Sequence, residues 1–367
     1  MRPIKASISA DAMAHNLRVA RRHAGAARVF AVVKANAYGH GLSRALRAFG
    51  AADGFAVLTL EEAASLRQMG VDKPILLLEG IFDAGEIAAC AELDLWPVLH
   101  HARQLDWLEQ QRPARALEVF LKFDSGMHRL GFPLAEHAEV VARVRALAGV
   151  ARVTLMTHFA QADDSAGVAW QLQPFREALD GHGLPWSSAN SAALMRYPET
   201  VGDWVRPGIM LYGASPFTDV PASGLGLEPA MTLRSEIIAV QTLAAGEGIG
   251  YGQTFRADKP MRAGVVACGY ADGYPRHAPT GTPVVVDGRR TRTLGRVSMD
   301  MLCVDLSECP AAGVGSAVVL WGDGLPVDDV AAAAGTSSYE LLCALAPRVP
   351  IEEVGRNQEA GRGFGNE

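Results

Sequence analysis

Eight short apolar runs recur between residues 28 and 212, and segments with helical periodicity separate them. The runs lie near residues 28–33, 54–58, 75–78, 95–99, 117–122, 152–157, 186–190 and 208–212. Segments between them, such as 60–69, 136–147 and 170–179, carry apolar residues at helical spacing. Strands that alternate with helices form parallel sheets, and the count of eight favours an α/β fold with a (β/α)8 barrel of the TIM type over a doubly wound open sheet.

The composition changes after about residue 227. Residues 228–325 are rich in valine, threonine and glycine, with turn signals such as Asp287-Gly288 and Asp323-Gly324. This pattern predicts mainly antiparallel β structure. The predicted division is a barrel domain over 1–226, a β-rich C-terminal domain over 227–354 and a disordered tail over 355–367.

Three predictions concern the two ends of the chain. Residues 1–10 alternate weakly and are candidates to pair with the β domain, and residues 11–22 are predicted to form a helix. Near the C-terminus, Ser337 and Glu340 have the spacing of a capping box, with serine at the N-cap of an apolar helix.

Composition and charge exclude several function classes. The 367 residues carry a formal net charge of −6, which argues against nucleic-acid binding. The five cysteines include no C-x-x-C pair, so neither a metal site nor a disulfide framework is expected, and reduced thiols fit better. The N-terminus lacks an apolar leader, and no run approaches the length of a membrane span. We expect a cytoplasmic protein without a membrane or nucleic-acid partner.

Lys34 is the first candidate for chemistry. It follows the apolar run of residues 29–33, which is predicted to be a strand buried on both faces. In a (β/α)8 barrel the carboxyl ends of the strands carry the active site. Burial favours the neutral amine of a lysine, which can form a Schiff base. A surface lysine just past a strand is the alternative explanation when Lys34 is considered alone.

The string Lys34-Ala-Asn-Ala-Tyr38-Gly39-His40-Gly41 resembles the pyridoxal phosphate attachment motif of the alanine racemases. The resemblance implies that Lys34 binds pyridoxal 5'-phosphate covalently and that Tyr38 reaches the cofactor phosphate. It extends over roughly residues 3–353. It therefore implies a pyridoxal phosphate-dependent racemase that interconverts L-alanine and D-alanine by two-base proton transfer, for peptidoglycan synthesis or alanine catabolism.

Polar residues also follow other predicted strands. They are His158, Asn190, Ser191, Arg206, and the backbone around Gly208 and Ile209. A satisfied core histidine, a helix cap or a surface ion pair would explain each of them separately, but their recurrence at one end of a barrel favours a site. Ser191 and the N–H groups near Gly208 and Ile209 are suited to a phosphate.

The resemblance adds roles at the cofactor site. It assigns Arg206 to the pyridine nitrogen with His158 nearby, includes Asn190 among the cofactor-binding residues, and adds Tyr339 to the phosphate site. Because an arginine keeps its protons, it would leave the pyridine nitrogen largely unprotonated and make the ring a weaker electron sink.

Arg129 and Lys122 are candidates on the substrate side. Arg129 can bind a substrate carboxylate through its fork of N–H donors. In the family the lysine matching Lys122 is often carbamylated and positions that arginine. An inward-facing lysine neutralised by Asp124 is the alternative explanation.

Inversion at an α-carbon requires a proton to leave one face and another to arrive on the opposite face, which two bases achieve most simply. Tyr251 lies between two glycines in the β-rich region, and its segment resembles the one that carries the second acid/base of the racemases. A tyrosine packed on a hairpin is the alternative. The resemblance also implies that Tyr270 lines the substrate entrance and that the backbone of Met299 meets the carboxylate.

The resemblance further implies a head-to-tail homodimer with shared active sites, in which Tyr251, Tyr270 and Met299 enter the site of the neighbouring subunit. Two other functions are alternatives. A barrel-type decarboxylase with the same cofactor should show a cysteine-rich motif and a glycine-rich phosphate loop, and neither is found. A non-catalytic pyridoxal phosphate carrier would not need the β-rich region.

Overall fold

The computed structural model describes residues 2–355, and the predicted disordered tail lies outside this range except for Gly355. The strands are β1 (Lys5–Ser9), β2 (Arg28–Val32), β3 (Gly54–Val57), β4 (Ile75–Leu77), β5 (Leu95–Leu99), β6 (Leu117–Asp124), β7 (Phe132–Pro133), β8 (Val150–Met156), β9 (Trp186–Ser187), β10 (Trp204–Val205), β11 (Met231–Leu243), β12 (Gly248–Ile249), β13 (Phe255–Arg256), β14 (Met261–Val266), β15 (Pro283–Val286), β16 (Arg289–Leu294), β17 (Leu302–Asp305), β18 (Ala317–Trp321) and β19 (Ile351–Val354). Helices span Ala10–Ala24, Leu42–Ala48, Leu60–Gln68, Glu86–Glu92, Ala102–Gln110, His137–Ala146, Ala169–Leu179, Ser191–Arg196, Val327–Ala334 and Ser338–Cys343. No helix within residues 2–355 is both long enough and apolar enough to cross a membrane.

Eight parallel strands form a closed barrel, which confirms the predicted fold class. Their order is β10-β2-β3-β4-β5-β6-β8-β9, and the short β7 pairs with β6 outside this ring. Two backbone hydrogen bonds close the ring between β9 and β10: Asp203 N–H donates to Trp186 O and Arg206 N–H to Ala189 O, each at 2.9 Å. The carboxyl ends of all eight strands therefore meet at one rim.

The eighth strand is not where the sequence predicted it. The apolar run 208–212 forms a short 3-10 helix, Ile209–Tyr212, and the strand lies earlier, at Trp204–Val205. Pro207 follows Arg206 directly and has no N–H to continue the ladder. A short apolar run does not by itself distinguish a buried strand from a buried helix, and here all four residues are buried as a helix.

Four aromatic side chains fill the interior of the barrel. Phe30 on β2 stacks on Trp204 of β10, with ring centroids 4.0 Å apart. Trp96 of β5 and Phe120 of β6 meet Phe30 edge-on at 6.0 and 5.8 Å. Each ring comes from a different strand, so the cluster connects opposite sides of the barrel.

The second sheet contains eight strands in the order β14-β17-β16-β15-β18-β11-β1-β19. All of its pairings are antiparallel except that between β1 and β19, as expected for a mainly antiparallel domain. An additional pairing of β14 with β11 closes the ring of β11 and β14–β18. The N-terminal strand β1 lies between β11 and β19, so residues 5–9 belong to this sheet and not to the barrel.

Helix termini differ in how they are capped. The helix Ala10–Ala24 extends slightly beyond the predicted range 11–22, and the Ser9 hydroxyl caps it by accepting from Ala12 N–H at 3.1 Å. The prediction of a capping box at Ser337 is wrong, because the hydrogen bonds of such a box are not formed. Ser337 is the N-cap, but its side chain makes no cap hydrogen bond, and Glu340 accepts from the Thr336 hydroxyl instead.

A buried asparagine connects the barrel to the segment that leads into the β domain. Asn16 donates to the carbonyl oxygens of Glu228 at 2.8 Å and Leu211 at 3.3 Å, and its own amide oxygen accepts from Glu228 N–H at 2.9 Å. Gly213 packs against the same segment in a left-handed conformation (φ 79°), and a Cβ at this position would overlap the Glu228 carbonyl oxygen.

This junction predicts different costs for two glycine substitutions. Gly226 is also left-handed (φ 69°), but a Cβ there would meet open space. Gly226→Ala should therefore cost about 1–2 kcal/mol of unfolding free energy from backbone strain alone. Gly213→Ala should cost about 1–3 kcal/mol more because of the overlap. Urea denaturation midpoints would measure both values, and equal losses would contradict the close packing at Glu228.

Candidate active site

A cavity of about 1050 Å³ lies at the carboxyl rim of the barrel. It is lined by most of the residues that the sequence predicted for the site: Lys34, Tyr38, Lys122, Arg129, His158, Asn190, Ser191, Arg206, Gly208, Ile209 and Tyr339. All of these except Tyr339 belong to the barrel, and Tyr339 comes from the helix Ser338–Cys343 of the second domain. The rim therefore collects a primary amine, a phenol, hydroxyl and amide groups and several cations in one space.

The segment after β2 forms a left-handed turn. Ala35, Asn36, Ala37 and Tyr38 all have φ between 51° and 55°, directly after Lys34. An L-residue in this conformation costs roughly 1–2 kcal/mol, and asparagine tolerates it best. Four such residues in succession persist only where the surroundings stabilise them.

Local hydrogen bonds stabilise this turn. Within the segment, Gly39 N–H donates to Ala35 O at 3.1 Å and Gly41 N–H to Asn36 O at 2.9 Å. The Asn36 side-chain oxygen accepts from Leu42 N–H at 2.9 Å. His40 is buried, and its Nδ1 lies 2.9 Å from Tyr38 O and 3.1 Å from Ala37 O. Burial lowers the pKa of His40 to about 4, so a neutral ring donates its Nδ1–H to these carbonyls.

The turn delivers Tyr38 to the cavity between other aromatic rings. Its ring stacks on Tyr212 at 4.7 Å and lies 6.0 Å from the ring of Tyr339. Burial, followed by the proximity of Tyr339 and Cys343, raises the pKa of Tyr38, so the phenol keeps its proton and can donate. A Cβ on Gly208 would lie 2.6 Å from the Tyr38 oxygen, so a glycine is needed opposite the phenol.

Arg206 is a buried cation whose hydrogen bonds all go to uncharged groups. Its Nη2 donates to Thr157 O at 2.8 Å and Ser188 O at 3.2 Å, and its Nη1 donates to the Ser187 hydroxyl. Only 4% of the residue is exposed, and no carboxylate within residues 2–355 forms an ion pair with it. Burial lowers the pKa of Arg206 to about 9, which leaves it cationic near neutrality.

Lys122 and His158 lie in the same positive environment. Burial, reinforced by Arg206 and Arg129, lowers the pKa of Lys122 to about 8, while Asp124 and Glu79 oppose the shift. Burial and the same cations lower the pKa of His158 well below its usual range. His158 is therefore neutral near pH 7. Lys122 is still mostly protonated at that pH, but it has a larger neutral fraction than an exposed lysine.

Asp124 organises the loop that carries Arg129. Its carboxylate accepts from Gly126 N–H at 2.9 Å and from the backbone of His128 at 3.0 Å, and it pairs with the His128 ring at 2.9 Å. It forms no ion pair with Lys122, so direct neutralisation by Asp124 does not describe this lysine.

Three predicted residues do not line this cavity. Tyr251 lies at the tip of the β12–β13 hairpin and is 71% exposed, so it does not pack on the hairpin. Met299 and Tyr270 are 53% and 38% exposed. Two hydrogen bonds join the loop that carries Tyr270 to the loop that carries Met299. Tyr270 N–H donates to Ser298 O and Ala271 N–H to Met299 O, each at 3.0 Å.

The fully buried carboxylate of Asp272 supports those joined loops. It accepts from Arg2 at 2.7 and 3.0 Å, from Arg348 at 2.7 Å and from Gly269 N–H at 2.9 Å. Arg348 also donates to the Asp300 carboxylate at 2.7 Å. Burial alone would raise the pKa of Asp272, but the hydrogen bonds outweigh it, and the pKa lies below its usual value.

Sequence reasoning missed the contributions of the third and fourth barrel strands. The cavity is also lined by Glu79, Phe82, His100, His101, Arg103, Gln104, Trp107, Asp163 and Cys343. A signal was present, because Glu79 follows β4 closely and His100 follows β5 directly. His100 and Glu79 are joined there, with the ring Nε2 3.0 Å from the Glu79 carbonyl oxygen.

Comparison with known proteins gives a consistent result. Residues 8–216 match the family model "Alanine racemase, N-terminal domain", and residues 230–352 match "Alanine racemase, C-terminal domain". The chain is 56% identical over 351 residues to the alanine racemase of Nitrosospira multiformis, covering 95% of this chain and 98% of that protein.

Two solved structures are similar over nearly the whole chain. The biosynthetic alanine racemase of Pseudomonas aeruginosa aligns with a TM-score of 0.94 and 49% identity over 96% of this chain and all of that one. The alanine racemase of Acinetobacter baumannii aligns with a TM-score of 0.91 and 39% identity at the same coverage.

The Asp272 cluster predicts a pH-dependent stability. Because the folded-state pKa is depressed, the stabilisation is present above the unfolded pKa of about 4 and is lost as the pH falls through the folded value. Asp272→Asn should cost roughly 2 kcal/mol at pH 7, a modest value because both arginines are part-exposed. The difference from the unsubstituted protein in urea denaturation should shrink between pH 5 and pH 3. A difference that does not change with pH would contradict the assignment.

Proposed function

Since the chain belongs to the alanine racemase family, we propose that it interconverts L-alanine and D-alanine. The observation that carries the proposal is the convergence of Lys34, Tyr38 and Arg206 on one cavity at the carboxyl rim of the barrel. A pyridoxal phosphate site needs a lysine amine, donors for the phosphate and a partner for the pyridine nitrogen, and these three side chains are suited to those roles.

The donor set fits that cofactor. Tyr38 is 6% exposed, and its phenol donates to no acceptor within residues 2–355. The Ser191 hydroxyl accepts from Gly208 N–H at 2.9 Å, which leaves its own hydrogen available to an anion. Arg206 offers a positive charge that no carboxylate neutralises. Tyr38, Ser191 and the backbone at Gly208 and Ile209 would hold the phosphate with Tyr339, Arg206 would face the pyridine nitrogen beside His158 and Asn190, and Lys34 would hold the cofactor covalently.

Pyridoxal phosphate, when bound, withdraws electrons from the α-carbon of an amino acid and so makes its proton acidic. The Lys34 amine would be freed when the amino group of the substrate takes its place on the cofactor, and it would then accept or return the α-proton on one face of the substrate. Tyr251 does the same on the opposite face. One turnover leaves one base with an extra proton and the other with one fewer, so the reverse reaction starts from the state in which the forward reaction ends.

Arg129 and Lys122 form the substrate side of this proposal. The Arg129 guanidinium makes no hydrogen bond to any residue of the described chain and is available to the substrate carboxylate. The neutral fraction of Lys122 can add to carbon dioxide with release of one proton, which forms a carbamate. That anion would place a negative charge beside Arg129 and Arg206, neither of which forms an ion pair with a carboxylate of the described chain.

The exposed residues of the second domain complete the site only in a dimer. Tyr251, Tyr270 and Met299 are exposed and lie outside the cavity of their own chain. In a head-to-tail homodimer each β domain covers the open barrel of the other subunit. Tyr251 then supplies the second base, while Tyr270 and the Met299 backbone surround a small substrate such as alanine.

Racemisation and cofactor attachment test the proposal directly. With pyridoxal phosphate, the circular dichroism of L-alanine should decay without release of carbon dioxide or ammonia. Borohydride reduction should fix the cofactor on Lys34. Lys34→Ala should abolish both results, whereas Lys259→Ala, at an exposed lysine, should change neither. A reduced peptide that carries the label on another lysine would overturn the assignment.

Mixed dimers test whether the site is shared. Lys34→Ala and Tyr251→Phe homodimers should both be nearly inactive. In a mixed dimer one site receives both substitutions and the other receives neither. Equal amounts mixed at random should therefore recover roughly a quarter of the full activity, because half of the dimers are mixed and each has one intact site. No recovery, with subunit exchange verified separately, would place both bases on one chain.

A further inference from the structure

The carboxylate of Glu62 binds two backbone amides at the point where the barrel strands β2 and β3 separate. The last regular hydrogen bond between this pair runs from Val33 N–H to Ala56 O at 2.9 Å. Two residues further along each strand, the ladder is replaced by Glu62. Its Oε1 accepts from Ala35 N–H at 3.0 Å, and its Oε2 accepts from Leu58 N–H at 2.9 Å.

We propose that Glu62 is a positioning residue that fixes the backbone carrying Lys34. The contact is made at Ala35, the residue that follows Lys34 and the first of the left-handed turn. By holding this amide, Glu62 sets the direction in which the chain leaves β2 and therefore where the Lys34 amine lies in the cavity. This inference rests on the proposed function only in taking Lys34 as the lysine that binds the cofactor.

The local sequence predicts a different use for this side chain. Thr59 and Glu62 have the spacing of a capping box at the start of the helix Leu60–Gln68. The Thr59 hydroxyl does accept from Glu62 N–H, at 3.2 Å. In a complete box the glutamate would return to Thr59 N–H, but here its two oxygens bind Leu58 and Ala35. The carboxylate thus acts on the neighbouring strand unit as well as on its own helix.

The strained backbone of the turn depends on side chains that bind it, and the contact between Glu62 and Ala35 N–H is one of these. Asn36 and His40 bind the far part of the turn, through Leu42 N–H and the carbonyls of Ala37 and Tyr38. Glu62 is the side chain that binds its first amide, and Ala35 is itself exposed. Without the carboxylate, water would be the remaining partner of that N–H. The left-handed conformation at this end would then depend on the backbone bonds from Gly39 N–H to Ala35 O and from Ala37 N–H to Val33 O.

The test compares Glu62→Ala and Glu62→Gln with Glu61→Gln in the full-length protein. Glutamine keeps one acceptor oxygen and loses the other, whereas alanine loses both. Glu61 is the matched control, because it lies on the same helical turn and its side chain does not contact the Lys34 segment. Two quantities are measured: hydrogen exchange of the Ala35 amide without cofactor, and the rate of cofactor attachment, followed by absorbance at about 420 nm. Thermal midpoints report the stability of the whole barrel.

Loss of a charge-assisted hydrogen bond should make Ala35 exchange about ten- to a hundredfold faster in Glu62→Ala. Cofactor attachment should slow by a similar factor, with Glu62→Gln intermediate and Glu61→Gln unchanged. If Glu62→Ala does not fold, Glu62→Gln against Glu61→Gln decides the question. Unchanged exchange, or faster exchange with normal attachment, would overturn the proposal. A wild-type protein that binds no cofactor would instead refute the proposed function. The hydrogen exchange of the Ala35 amide would still test the role of Glu62 in that case.

Discussion

Closure of the barrel depends on the stacking of Trp204 on Phe30. Strand β10 has only two residues, so its hydrogen bonds alone would hold it weakly between β9 and β2. The stacked pair, with centroids 4.0 Å apart, joins the last strand to the first, and the Arg28 guanidinium lies 4.1 Å from the Trp204 ring. Arg206 follows Trp204 by two residues and reaches the cavity from the same short strand. The position of the buried cation at one end of the barrel is therefore set by aromatic packing in its interior.

The rim itself contains features that oppose folding. Arg206 and Lys122 are buried without an ion-pair partner among the described residues, and the turn after Lys34 is left-handed at four positions. Unpaired buried charge and strained backbone are tolerated only where the rest of the structure stabilises them. An anionic ligand would offset part of this cost, because it supplies the counter-charge and binds only the folded state. A site of this kind gains affinity from the same features that lower the stability of the empty protein.

Much of the fold and of the site could be predicted from the sequence, for identifiable reasons. Seven of the eight barrel strands fall at the predicted apolar runs, because strands buried on both faces are continuous in hydrophobicity. The eighth does not, because Ile209–Tyr212 is equally apolar and is buried as a 3-10 helix. The motifs predicted that Lys34, Arg206 and their neighbours lie together, and these residues do line one cavity. Glu62 and His40 act through backbone amides and carbonyls, and such contacts have no pattern of their own in the sequence. Glu62 even has the spacing of a capping box, which hides its second role.

The connections between the two domains bear on how the site is completed. Strand β1 places the start of the chain in the second sheet before the barrel begins, and β19 returns to pair with it. A further connection joins the segment after the barrel to the second domain, because Asp328 accepts from Ser215 N–H at 3.1 Å and also from the Ser338 hydroxyl. The helix that carries Tyr339 also packs on the left-handed turn after Lys34 so closely that a Cβ on Gly39 would overlap the Leu342 carbonyl oxygen. A rotation that carried Tyr251 toward the cavity of its own chain would have to break these contacts together with the Asn16 junction. We infer that the exposed position of Tyr251 is built into the fold, and this favours a second copy of the chain as its destination.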